Sequence, residues 1–213
     1  MAWSGADQPV RITSSKSTSE EGDPAWVALF FTSMVVWGRE MASSDVELAA
    51  RWWQWAMSVP NAKNPVVDET GEFAAIDQPT DVWFLAGTFG GRAERRCTIP
   101  HGRPIFFPAF NMFQKVPDGF FARGEVPLAP AATGHAALNG VPLPVRAVTN
   151  DKAFRITAAA GGPFGHTGRF KAKAWGLWVR LDDLAPGDYV LTFGGEYEPG
   201  GFWVEVTYQL EIR

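Results

Sequence analysis

At 213 residues, with 46% hydrophobic and 20% charged side chains, the chain is long enough to bury a substantial core and too apolar to be a largely disordered segment. A net charge of −4 argues against a global attraction to nucleic acid or an anionic membrane, so no nucleic-acid partner is expected. The single cysteine, Cys97, excludes an intrachain disulfide and a cysteine-built zinc site, and no metal or other cofactor is predicted.

The polar stretch from Met1 to Gly22 lacks the basic start and apolar run of a secretion signal. It reads as a flexible tail over residues 1–24 of a soluble, cytoplasmic chain, with one domain over 25–213. Trp26 to Trp37 is about half the length of a membrane span. Its Val27, Phe30, Phe31, Val35 and Val36 favour a buried strand.

A helix is predicted over 44–59. Ser44 and Glu47 have the spacing of a capping box, Leu48, Trp52, Trp55 and Val59 recur at helical period, and Pro60 stops the run. Glu47, Arg51, Gln54 and Ser58 form the polar stripe, with Glu47 placed to pair with Arg51. Ala49, Trp53 and Ala56 widen the apolar face to more than half the circumference, so the helix should be clamped between a sheet and another layer.

Residues 61–80 read as an irregular loop. From there the chain is β. Val82 to Thr88 and Ala93 to Ile99 flank a glycine-rich turn, and Ile105 to Phe110 is an edge or bulged strand because Pro104 and Pro108 interrupt a ladder. Asn139-Gly140 marks a type I′ hairpin. Phe154 and Ile156 alternate with polar neighbours, Leu177, Val179 and Leu181 alternate with Trp178 and Arg180, and Tyr189 to Phe193 forms a further strand. In the last strand, Phe202, Val204, Val206, Tyr208, Leu210 and Ile212 oppose Trp203, Glu205, Thr207, Gln209 and Glu211. Strands with one wet face and short turns imply antiparallel pairing. The predicted fold is therefore mainly β, an antiparallel sandwich of jelly-roll or Greek-key type, with one amphipathic helix packed on it.

Several stretches together resemble a family of small, usually secreted bacterial proteins without a settled function. They include Arg51-Trp52-Trp53-Gln54-Trp55-Ala56, Asn64-Pro65, Thr70-Gly71 and Trp83-Phe84-Leu85-Ala86-Gly87-Thr88. Cys97, Phe106-Phe107-Pro108, Pro186-Gly187 and Phe193-Gly194-Gly195 continue the likeness, which runs from about residue 40 onward. The chain departs from that pattern in lacking a secretion signal and in having His101 between Pro100 and Gly102. The resemblance supports the fold and implies no reaction.

Two functional readings follow. In the first, the sandwich is a non-catalytic binding module for a small molecule or a carbohydrate. Trp178 and Trp203, on the predicted polar faces of their strands, would stack on the ligand, and the ladder Arg169, Lys171, Lys173 would add positive charge. The bland alternatives are a ring covered by the helix and a solvated basic strand. In the second, a cofactor-independent hydrolase, lyase or cyclase holds an apolar substrate between helix and sheet. Asp68 and His166, or His101, would then be its acid and base. Against this stands the Asx-turn context of Asp68 before Thr70-Gly71. Cys97 reads as a small core residue.

Overall fold

The computed structural model describes residues 43–119, 124–182 and 184–213. The sequence-predicted tail and the Trp26 to Trp37 strand lie outside them. Helix α1 spans Asp45–Ser58. Its capping box is formed on both sides: Glu47 N–H donates to Ser44 Oγ, and Ser44 N–H donates to Glu47 Oε2. Glu47 is thus committed to the cap, and Arg51 pairs instead with Asp81 in a two-pronged ion pair. At the other end, Asn64 is fully buried and its Nδ2 donates to the carbonyls of Ala56 and Val59, closing helix acceptors that would otherwise be orphaned.

Nine strands follow among the described residues: β1 Trp83–Phe84, β2 Gly91–Ile99, β3 Ile105–Lys115, β4 Thr133–Leu138, β5 Val141–Pro142, β6 Arg146–Ala158, β7 Gly168–Leu181, β8 Gly187–Tyr197 and β9 Phe202–Ile212. They form a four-stranded sheet ordered β1-β3-β7-β6 and a five-stranded sheet ordered β2-β9-β8-β4-β5. The mainly β sandwich with one helix is as predicted, but the sheets are mixed. β1 runs parallel to β3, and β2 runs parallel to β9 along its whole length. The predicted return of the chain after Phe89 to Arg92 therefore does not make a hairpin. β1 belongs to one sheet and β2 to the other, so the turn is a crossing between layers.

β3 is bulged between Pro108 and Phe110, as the prolines imply. Because β1 pairs only with Ile105 and Phe106, no strand among the described residues lies beside β3 on that side from Phe107 on, and a missing N–H there breaks no ladder bond among them. Asn139 and Gly140 both have positive φ, 49° and 79°, at the β4–β5 hairpin.

Two large cores result. One lies between the sheets, where Phe107, Val179 and Leu181 meet Leu191, Phe193, Val206 and Tyr208. The other lies between α1 and the outer face of the first sheet, where Leu48, Trp52, Trp53 and Trp55 pack on Phe84, Phe106, Ile156, Ala172 and Trp178. The first sheet is covered on both faces along Ala174 to Val179. That is why Trp178, predicted on a polar face, is buried: its ring stacks on Phe106 at 4.9 Å and meets Trp52 edge-on at 5.6 Å. No helix among the described residues is long and apolar enough to cross a membrane.

Candidate functional site

Beside the middle of α1, the packing leaves a cavity of about 260 Å3. Its walls are apolar and aromatic: Trp52 and Trp53 from α1, Met112 and Phe113 from β3, Phe89 and Gly87 from the crossing turn, Phe164 and Phe202. The rings grip one another, with Trp53 at 4.8 Å from Phe113 and 5.6 Å from Phe164, and Phe89 at 4.8 Å from Phe164. Phe89 is half exposed and forms part of the rim.

The rim is fixed by backbone bonds rather than left loose. Phe164 stands on the Gly161-Gly162-Pro163 turn, which Asn61 N–H holds through Gly161 O, and Ala159 N–H donates to Met57 O at the end of α1. On the opposite wall, Val66 and Gly87 are tied by Arg95. This guanidinium is buried and donates to the carbonyls of Val66, Asp68, Ala86 and Gly87 and to Tyr208 Oη, at 2.6 to 3.2 Å. Tyr208 Oη in turn donates to Ala86 O, and burial pushes its phenol pKa up against the opposing pull of Arg95. Arg95 is therefore the positioning residue of this wall. A sequence signal was present: on β2 it sits between Ala93 and Cys97 on the inward face, where an alternating strand otherwise carries small or apolar side chains.

The cavity's hydrogen-bonding groups are unevenly satisfied. Trp52 Nε1 donates to Leu85 O and Trp55 Nε1 to Ile76 O. Trp53 Nε1, Asn111 Nδ2 and Trp178 Nε1 are buried and have no acceptor among the described residues. Trp53 and Asn111 both line the cavity, and Trp178 Nε1 borders Asn111, since a Cβ built on Gly176 would lie 2.6 Å from that nitrogen and 2.9 Å from Asn111 Cβ. Buried donors without partners cost about 1–3 kcal/mol each, so three in one neighbourhood make a local deficit of acceptors.

The residues singled out from the sequence are dispersed. Asp68 is buried, and its carboxylate is occupied by Thr70 N–H, Thr70 Oγ1 and Phe73 N–H, the Asx-turn arrangement. Burial alone would raise its pKa, but the donors of Phe73, Thr70 and Gly71 overcome this and hold it below the ordinary value. Neither His166 nor His101 is among its partners. His101 is exposed in the turn after β2, with its backbone N–H on Arg213 O. His166 is half-buried, 5.5 Å from Phe113 and 5.3 Å from Phe170, behind the cavity wall. The acid–base pair is not assembled, and among the described residues no three His, Cys, Asp or Glu side chains cluster to hold a metal.

Of the aromatic pair, only Trp203 is exposed, on the outer face of the second sheet beside Glu196 and the His135–Glu205 pair. Trp178 and Trp203 thus do not form one strip. Arg169 and Lys171 are exposed and Lys173 half-buried near the start of β7. Cys97 packs against the inter-sheet core, and burial pushes its thiol up to about 12, far from a nucleophile's range. No protein-family model matches the chain, and no curated protein or solved structure matches it.

Proposed function

We propose that this protein is a non-catalytic ligand-binding β-sandwich whose helix–sheet cavity takes a small, largely apolar molecule bearing a hydrogen-bond acceptor. The observation that carries the reading is the conjunction of an aromatic wall with the unpartnered donors Trp53 Nε1 and Asn111 Nδ2. The rings supply affinity without direction, and the donors supply orientation. A void of about 260 Å3 exceeds the roughly 150 Å3 that admits benzene, so a substituted monocycle or a compact bicycle fits.

Acetophenone and ethylbenzene test this, because they share shape and differ in one carbonyl. Calorimetric titration should show acetophenone binding about tenfold more tightly, the worth of one hydrogen bond that spares a buried donor. Asn111→Leu should erase the difference while leaving ethylbenzene affinity in place. Equal affinity of the two probes, or no binding of either, would reject the proposal.

A further inference from the structure

On β7 the residues facing away from α1 change character along the strand. Leu181, Val179, Leu177 and Trp175 are packed in the sandwich, whereas Lys173, Lys171 and Arg169 come out toward solvent. The neighbouring strand places Arg155 directly opposite Lys171, and Thr157 directly opposite Arg169. Opposed side chains on paired strands start about 5 Å apart, and residues two apart on one strand about 6.8 Å. Three cations and a hydroxyl therefore occupy the corners of a small rectangle on one face. A cleft of about 560 Å3 opens over them, walled by Val116 to Gly119, which is fastened by Val116 N–H to Lys171 O.

Some of the other cations meet carboxylates: Arg51 is paired with Asp81, Arg146 and Arg180 with Asp45, and Arg213 with Asp188. Among the described residues Arg155, Arg169 and Lys171 have no ion-pair partner, and Asp118 is the one carboxylate lining the cleft. Like charges directly opposite on a ladder are destabilising. A chain of net charge −4 that nevertheless sets two cations face to face, with a third beside them, is spending stability on a site for negative charge.

We propose that this rectangle binds a compact, multiply charged oxyanion of the phosphate type, such as the phosphate group of a small metabolite. Three positive charges less that of Asp118 are balanced by a dianion, and guanidinium forks with a Thr hydroxyl match tetrahedral oxygens. The patch is too short for an extended polyanion, which needs a run of cations along a groove. The site is separate from the aromatic cavity, and neither reading depends on the other.

Inorganic pyrophosphate and phosphate are the probes, compared with sodium chloride at a matched ionic strength of about 0.15 M. Pyrophosphate should raise the melting temperature and give a saturable calorimetric isotherm. Arg169→Ala and Lys171→Ala should each weaken it about tenfold, the loss of one charge-assisted contact. Lys152→Ala, an exposed cation on β6, should leave affinity unchanged. Lys171→Gln should also melt higher than the parent without anion, because the opposed charge is gone, and should lose the pyrophosphate-dependent rise. A parent whose melting does not respond to pyrophosphate beyond the salt control overturns the proposal. So does retention of affinity in both alanine variants, or binding of a single-stranded oligonucleotide where pyrophosphate fails.

Discussion

Replacing Arg95 with Met tests whether the wall of the cavity is held by one buried cation. The side chain makes five hydrogen bonds, four of them to backbone carbonyls of two separate loop segments. When the guanidinium is removed, Ala86 O keeps Tyr208 Oη as a donor and Gly87 O is only part-buried, but the buried carbonyls of Val66 and Asp68 have no second donor among the described residues. Two orphaned carbonyls at about 1–3 kcal/mol each give a loss of about 2–6 kcal/mol, part of which returns because a charge no longer has to be kept out of water. The net expectation is about 3 kcal/mol, or a fall in melting temperature of roughly 6–12 °C for a domain of this size. Urea and thermal unfolding followed by circular dichroism measure it. Arg95→Lys should recover only part of the loss, since an ammonium has three donors and no fork to span the carbonyls. Stability of Arg95→Met within about 0.5 kcal/mol of the parent, the range of an ordinary surface change, would refute the reasoning.

Asp68 has a folded pKa below its unfolded value, so its stabilisation is complete above about pH 4 and is lost as pH falls through the folded value; Asp68→Asn should flatten the acid limb of a stability-versus-pH series. Gly176→Ala places a Cβ 2.6 Å from Trp178 Nε1 and 2.7 Å from Phe110 O, and overpacking of that kind should cost about 1–3 kcal/mol in urea unfolding. Ser44→Ala removes one half of the capping box and should cost about 1 kcal/mol by the same measurement. The thiol of Cys97, raised to about 12, should resist iodoacetamide at pH 8 until denaturant is added.

What was legible in the sequence and what was not follows from how many layers touch an element. α1 and β9 each have one wet face, and their periods of 3.6 and 2 were plain in Leu48 to Val59 and in Phe202 to Ile212. β7 touches a layer on both faces, so alternation stops being informative and Trp178 looked polar-facing while lying beneath Trp52. The parallel pairing of β2 with β9 joins residues more than a hundred positions apart, and nothing local distinguishes a crossing turn from a hairpin turn at Phe89 to Arg92. Asp68 was readable as a turn former because its hydrogen bonds are to Thr70 and Phe73, close in sequence. For Arg95 the alternation of β2 shows an inward place but not its role, because its partners come from three stretches of chain.

The same distinction bears on the cavity. Sequence spacing placed Trp52, Trp53 and Trp55 together as core, and all three are buried. Packing alone needs only an aromatic ring, and phenylalanine offers a smaller one with no N–H to satisfy. At Trp52 and Trp55 the indole nitrogen is used, bonding Leu85 O and Ile76 O and so stitching the helix to the chain beneath it. At Trp53 it is not, and the neighbouring Asn111 and Trp178 repeat the deficit. A core optimised only for stability removes such groups, because each costs more than the hydrogen bond of a satisfied one contributes. Their survival beside a rigidly framed aromatic void is the physical ground of the proposal that this spot binds a ligand.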